Sequence, residues 1–154
     1  MTQFSSEFEA SEIRNDLWQG SAPPFGDHVR AAGFHTLVLC AQEFQPEGWK
    51  YTGVEVIHAP NDDADRRPDE QELRTAVEAA SAVAKRLRSG RKVLVTCMQG
   101  RNRSGLVSAI ALHKLLGVSG HVAARIVRAN RRNALTNVNF VNLLRKLPPR
   151  ARVT

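Results

Sequence analysis

The chain has 154 residues, of which 42% are hydrophobic and 24% charged, and its net charge is +7. That length suits one domain of ordinary size, and the composition excludes collagen-like, low-complexity and wholly disordered proteins. Residues 1–78 carry 6 Lys and Arg and all 15 Asp and Glu, whereas residues 79–154 carry 16 Lys and Arg and no acid. A basic half of this kind attracts phosphorylated, nucleic-acid or membrane-surface partners; a solvated basic face balanced by the acidic half is an equally good interpretation.

Strands and helices are predicted to alternate along the chain. Residues 1–10 are expected to form a disordered tail, and residues 11–154 the domain. Apolar runs of strand length predict four strands, at residues 17–20, 36–40, 54–57 and 92–96. Helical spacing with capping or terminating residues predicts five helices, at residues 27–32, 73–87, 104–116, 119–130 and 137–147. The pattern indicates a single compact α/β domain with a central, mostly parallel sheet flanked by helices.

Signals for export and membrane insertion are missing from the sequence. No apolar run approaches the roughly 20 residues that a membrane span needs, and Glu7 and Glu9 do not fit a secretory signal. We therefore expect a cytoplasmic protein. Two cysteines, Cys40 and Cys97, are too few for a disulfide scaffold. The five histidines are scattered and lack the spacing of zinc ligands, so we expect no metal and no other cofactor.

One polar loop between a predicted strand and a predicted helix carries the strongest chemical signal. Its sequence is Cys97-Met98-Gln99-Gly100-Arg101-Asn102-Arg103-Ser104-Gly105. The backbone N–H groups of a tight loop that opens a helix form a concave anion site, and the same field stabilises a thiolate. Arg103 returns to the rim of this loop, where its guanidinium can bind two oxygens of a phosphoryl group. A buried structural cysteine is the alternative interpretation of Cys97.

This loop resembles that of the cysteine-based protein tyrosine phosphatase superfamily, and most of all that of the dual-specificity phosphatases. The similarity is strongest over residues 60–116, and it extends to the strand Leu17-Trp18-Gln19-Gly20-Ser21 and to residues 128–144 with Asn137 and Phe140. The resemblance implies a protein tyrosine phosphatase-like fold. The chain departs from the family at Thr96, where relatives usually have His. A hydroxyl there can still support the loop, but Cys97 is then less activated than in relatives.

The resemblance also implies a role for each residue of the loop. Cys97 attacks phosphorus and forms a phosphocysteine, and Ser104 assists release of the thiolate. The phosphoryl oxygens bind Arg103 and the loop amides, in a set that comprises Met98, Gln99, Gly100, Arg101, Asn102 and Arg103. The expected substrates are phosphotyrosine and also phosphoserine or phosphothreonine, in a phosphorylated protein or peptide. The enzyme is expected to act as a monomer.

The leaving group of a phosphomonoester needs a proton from a positioned acid. Three candidates follow Pro60 in a loop where the family places its general acid. The spacing from Pro60 favours Asp63, the Asn61-Asp62 pair makes Asp62 second, and Asp65 is third. At least one of the three is expected to be only a polar loop residue or a helix cap.

Other substrates and a second use for Cys40 stay open. Gly-x-Asn-Arg-Ser-Gly also resembles the loop of RNA 5′-triphosphatases in the same superfamily, although those enzymes commonly lack the acid. The basic half keeps RNA and phosphoinositides as substrates, and a non-catalytic phosphate-binding module is a further alternative. Cys40 ends a predicted strand and could form a protective disulfide with an oxidised Cys97, but a packed core cysteine is the favoured interpretation.

Overall fold

A five-stranded sheet runs through the middle of the computed structural model, which describes residues 8–150. Its strands are β1 (Ala10–Arg14), β2 (Leu17–Gly20), β3 (Thr36–Ala41), β4 (Glu55–Asn61) and β5 (Val93–Thr96). The helices are α1 (His28–Ala31), α2 (Glu70–Arg88), α3 (Arg103–Leu116), α4 (Gly120–Asn130) and α5 (Val138–Arg145), with a short 3₁₀ helix at Gly48–Lys50. The strand order is β1-β2-β5-β3-β4; only β1 is antiparallel to its neighbour. The predicted α/β fold with a mostly parallel sheet is confirmed.

Structure and prediction differ at the N-terminal segment and at the end of β4. β1 was not predicted, and it forms because it pairs with β2 along the sheet edge. Phe8 is buried, so the described structure includes part of the segment expected to be a tail; residues 1–7 lie outside the described residues. β4 continues to Asn61, four residues beyond the predicted strand, because it stays paired with β3 as far as Ala41.

The sheet separates two apolar layers, as the alternation of side chains along a strand requires. Val38 and Val95 belong to the larger core beneath α2, α3, α4 and α5, whereas Leu37, Leu39 and Leu94 belong to the smaller core on the other face. Helix α3 lies within the larger core and is buried from Arg103 to His113. No helix within residues 8–150 is both long and apolar enough to cross a membrane.

The parallel strands place three loops at one edge of the sheet. β3, β4 and β5 run in the same direction, so the loops that follow them meet beyond their carboxyl ends. These loops are residues 42–47, 62–69 and 97–102. The loop that the sequence singled out therefore lies beside the loop of three aspartates.

An ion pair joins β4 to α2 at the other end of the sheet. Arg86 Nη2 lies 2.7 Å from Glu55 Oε2, and the hydroxyl of Thr36 donates to Oε1 at 3.0 Å. The hydrogen bond from Arg86 is the main reason that the pKa of Glu55 falls to about 2, with Thr36 and Arg91 adding to it against the opposing effect of burial.

We expect Glu55→Gln to lower the melting temperature at neutral pH by roughly 2–4 °C, since a partly exposed ion pair is worth at most about 1 kcal/mol. The folded-state pKa is depressed, so the stabilisation is present above the ordinary value of 4.5 and is lost as the pH falls toward 2. Thermal unfolding across that range should show the gap between variant and wild type closing. Glu78→Gln, on the exposed face of α2, is the control, and a gap that is the same at neutral and acid pH would contradict the assignment.

Candidate active site

A cavity of about 400 Å³ opens at this edge of the sheet. Its lining residues are Glu43, Asp63, Cys97, Met98, Gln99, Arg101, Asn102, Arg103 and Thr136. Most of the residues predicted for the site are therefore together, whereas Asp62, Asp65, Gly100 and Ser104 do not line the cavity. Within residues 8–150 no three His, Cys, Asp or Glu side chains come together as a metal site requires.

The carbonyl groups of four consecutive residues in the loop after β5 point into the protein, away from the cavity. The hydrogen bonds that they accept are Ala22 N to Met98 O (3.4 Å), Arg131 Nη2 to Gln99 O (3.1 Å), Gln19 Nε2 to Gly100 O (3.0 Å), Arg131 Nε to Gly100 O (2.6 Å) and Leu135 N to Arg101 O (3.0 Å). In a planar trans peptide the next N–H points opposite to the carbonyl. The N–H groups of residues 99–102 consequently face the interior of the loop and form an anion-binding nest.

Gly100 is required where the loop passes closest to β2. Its φ is +67°, a left-handed conformation, and a Cβ built on it would lie 2.5 Å from the carbonyl oxygen of Gly20 and 2.7 Å from Arg131 Nη2. The left-handed φ and the carbonyl of Gly20 belong to the backbone, so neither can move aside as a flexible side chain could. Gly100 therefore lets the loop approach both β2 and the arginine that supports it.

Arg131, which sequence reasoning had not assigned to the site, supports the loop from behind. Its side chain is 6% exposed, donates to Glu9 Oε2 at 2.8 Å and to Ser11 Oγ at 3.0 Å, and also holds the carbonyl of Gly100. The similarity of residues 128–144 to the family was the signal that could have found it. The N-terminal segment expected to be a tail thus carries the carboxylate that orients Arg131.

Cys97 lies at the foot of the nest and is 5% exposed. Its Sγ is 3.2 Å from Ser104 Oγ, so a hydroxyl can donate to the sulfur. The hydroxyl of Thr96, which the sequence allowed to support the loop, donates instead to the carbonyl of Val38 in β3 at 2.8 Å. Cys40 occupies the next strand end, and burial, followed by the charge of Cys97, raises the pKa of its thiol well above the usual value. Both cysteines are free thiols, and the Cys40–Cys97 disulfide stays a prediction.

Arg103 is held from one side by a carboxylate and has a free donor on the other. Glu43 accepts from both Nη atoms, at 2.8 Å for Nη2, and the carbonyl of Asn61 accepts from Nη1 at 3.1 Å. Burial lowers the pKa of Arg103, but the hydrogen bonds that it donates to Glu43 and the charges of Cys97, Glu43 and Asp63 outweigh it and raise the pKa. The buried Nε has no partner within residues 8–150. A phosphoryl oxygen can satisfy that donor.

Glu43 was missed in the sequence, although a signal existed. It follows β3 in the same way that the three aspartates follow β4, and polar residues at the carboxyl ends of parallel strands meet at one edge. The hydrogen bonds from Arg103 lower the pKa of the Glu43 carboxyl, so this partner of Arg103 is ionised at neutral pH.

Of the three aspartates only Asp63 lines the cavity. Its carboxylate accepts hydrogen bonds from Asn102 Nδ2 at 3.0 Å and from Asn137 Nδ2 at 2.7 Å. Asp62 instead lies 3.8 Å from Arg66. Asp65 accepts from Asn139 Nδ2 at 3.0 Å. The first choice from the sequence is thus the aspartate that geometry places beside Cys97 and Arg103.

The family model "Dual specificity phosphatase, catalytic domain" matches residues 17–148. The chain belongs to the dual specificity phosphatase family. Its fold is similar to that of a mouse protein described as a dual specificity phosphatase, complexed with zinc tungstate, at 26% identity and a TM-score of 0.76 over 95% of this chain and 89% of that one. It is also similar to Tk-PTP in the active form, at 27% identity and a TM-score of 0.74 over 90% of this chain and 95% of that one.

The crystal structure of PTPMT1 in complex with PI(5)P shares the fold at 17% identity, with a TM-score of 0.74 over 89% of this chain and 92% of that one. Among curated protein sequences none matches this chain. The family and the fold therefore identify a phosphatase domain. The substrate has to be inferred from the residues of the site.

We expect Gly100→Ala to weaken binding of inorganic phosphate by at least about 100-fold, because the added Cβ must displace the carbonyl of Gly20 or Arg131 and so disturb the nest. Isothermal titration measures this affinity. Gly90→Ala is the matched control, since Gly90 also has a left-handed φ of +83° but has no atom within 4 Å of the added Cβ. Equal loss of affinity in both variants would contradict the role given to Gly100.

Proposed function

We propose that this protein hydrolyses phosphomonoesters through a phosphocysteine on Cys97, with phosphotyrosine in proteins as the main substrate and phosphoserine or phosphothreonine as further ones. The observation that carries the proposal is that one cavity is lined by Cys97, Asp63 and Arg103, whose Nε has no partner within residues 8–150. These are a nucleophile, a proton donor and an anion-binding group, the three groups that the reaction requires.

The phosphoryl group binds in the nest above Cys97. Inward N–H groups of residues 99–102 and the free Nε of Arg103 donate to its oxygens, and the ionised Glu43 holds the guanidinium from the opposite side. Preorganised donors of this kind stabilise the charge that shifts onto the phosphoryl oxygens in the transition state.

Transfer then takes place in two steps. The Cys97 thiolate attacks phosphorus, the bond to the leaving oxygen breaks, and Asp63 gives that oxygen its proton. Water next attacks the phosphocysteine while Asp63 takes a proton from it, and the S–P bond breaks to release phosphate. Ser104, 3.2 Å from the sulfur, donates a hydrogen bond that stabilises the departing thiolate.

One apolar side chain of the cavity, and two aromatic ones next to a lining residue, support an aromatic leaving group. Met98 lines the cavity and is 41% exposed, and Phe44 directly follows the lining residue Glu43. Phe25, 46% exposed, stacks on Phe44 with ring centroids 6.1 Å apart. A phosphotyrosine ring can contact such a surface. The monomeric state and the cytoplasmic location stay predictions from the sequence.

A polyanionic substrate, such as triphosphate-ended RNA or a phosphoinositide, is the second candidate. A cleft of about 330 Å³ shares Gln99 and Arg101 with the main cavity and is also lined by Arg131 and Arg132. A second phosphate can bind there, and the PTPMT1 structure contains a phosphoinositide. The position of Asp63 favours monoesters over triphosphates, because a diphosphate leaving group needs little protonation.

Hydrolysis of p-nitrophenyl phosphate and of a phosphotyrosine peptide, measured in chelator between about pH 5 and pH 8, tests the proposal. We expect wild type to turn over and Cys97→Ser to be inactive. Asp63→Asn should lower kcat by about 10²–10⁴, because the leaving oxygen then receives no proton from a positioned acid.

Asp62→Asn is the matched control in the same loop, and its turnover should stay close to that of wild type because Asp62 faces Arg66. A wild type that is inactive on both monoesters but releases phosphate from triphosphate-ended RNA, with no effect of Asp63→Asn, would establish the second candidate instead. Phosphate binding without any turnover would indicate a binding module.

A further inference from the structure

Asn102 stands at the N-cap of α3, yet it does not cap the helix. An Asn in this position usually accepts a hydrogen bond from an N–H two or three residues further on, but the side chain of Asn102 makes no such bond. It is only 9% exposed and lies against two neighbouring segments. Its position in the loop therefore serves contacts outside α3.

The amide of Asn102 connects the phosphate loop to the acid loop and to the segment before α5. Its Nδ2 donates to Asp63 Oδ2 at 3.0 Å and to Thr136 Oγ1 at 3.3 Å, and its Oδ1 accepts from the backbone N–H of Asn137 at 2.8 Å. Asn137 completes the arrangement, because its Nδ2 donates to Asp63 Oδ1 at 2.7 Å and to the carbonyl of Ala64 at 3.1 Å. Each oxygen of Asp63 thus accepts one amide N–H.

We propose that Asn102 and Asn137 form an amide clamp that positions Asp63 for proton transfer in this protein. The inference rests on the proposed phosphatase function. Asp63 belongs to an exposed loop between β4 and α2, where a carboxylate without partners would rotate freely. Asp62 and Asp65 have other partners, Arg66 and Asn139, and neither lines the cavity.

The clamp also determines the distance between acid and phosphorus. Asn102 directly precedes Arg103, whose guanidinium faces the phosphoryl group, so the donor of one hydrogen bond to Asp63 belongs to the loop that binds the substrate. Each carboxylate oxygen has two lone pairs, so either oxygen can carry the proton while both amide bonds persist. Asp63 is consequently in place before the substrate arrives, and Asn102 and Asn137 are positioning residues.

The dependence of the rate on the leaving group separates positioning of the acid from support of the loop. A dinitrophenyl phosphate needs almost no proton, whereas an alkyl phosphate needs a full one. We expect Asn102→Ala to lower kcat/KM for the alkyl phosphate by about 10- to 100-fold, the loss that a displaced catalytic group causes. The dinitrophenyl ester should lose several-fold less than the alkyl phosphate, because Ala keeps the backbone N–H that residue 102 contributes to the nest.

Two further variants show whether the loss acts through Asp63. In an Asp63→Asn background Asn102→Ala should cause no additional loss, because the acid that it positions is gone. Asn137→Ser removes the other amide donor but keeps an oxygen that can cap α5, as Asn137 Oδ1 does by accepting from Asn139 N at 3.0 Å. It should show the same dependence on the leaving group. Asn130→Ala, which removes an amide that donates to the carbonyl of Ile126 in α4, is the matched control.

Equal losses for both esters, or a full loss in the Asp63→Asn background, would overturn the clamp. If wild type hydrolyses none of these esters, the proposed function fails. Thermal unfolding then still measures whether the hydrogen bond between Asn102 and Asp63 stabilises the fold. Asn102→Ala, Asp63→Ala and the double variant form a cycle in which a loss smaller than the sum supports the clamp. Additive losses would refute it whatever the activity.

Discussion

The hydrogen bonds that hold the carbonyl groups of residues 98–101 away from the cavity are the constraint on which this site depends. A peptide group is rigid, so a carbonyl that points away from the cavity turns the following N–H toward it. Arg131 and Gln19 hold the carbonyl of Gly100, and the missing side chain of Gly100 allows both contacts at once. The anion-binding nest is therefore a product of the packing around the loop as much as of the loop itself.

Within residues 8–150, ion pairs at three carboxylates connect the acidic and basic halves of the chain. Glu9, Glu43 and Glu55 belong to the acidic half, and their partners Arg131, Arg103 and Arg86 belong to the half without a carboxylate. The contact of Glu9 with Arg131 supports the loop after β5, that of Glu43 with Arg103 holds the guanidinium at the cavity, and that of Glu55 with Arg86 joins the sheet to α2. Carboxylates of one half thus neutralise arginines of the other. The arginines at the rim of the cavity keep a positive potential toward solvent.

Much of this could be predicted from the sequence, because the deciding signals are local. Apolar periodicity determines the alternation of strands and helices, and a Cys and an Arg separated by five residues, between a buried strand and a helix, point to a phosphate-binding loop. The preference for Asp63 over Asp62 also came from the sequence, through its spacing from Pro60. Such patterns span a few residues, so they can be recognised without knowing which residues pack against them.

Tertiary structure alone decided which distant residues complete the site. Glu43 lies 60 residues from Arg103, Gln19 lies 81 from Gly100, and Asn102 lies 39 from Asp63, so no spacing rule connects them. The edge strand β1 has no apolar pattern of its own and exists because β2 offers it a partner. The sequence by itself determined the fold and the reactive loop. The three-dimensional arrangement decided the carboxylate, arginine and amide partners, because hydrogen bonds between loops depend on where the strands end and not on the order of residues.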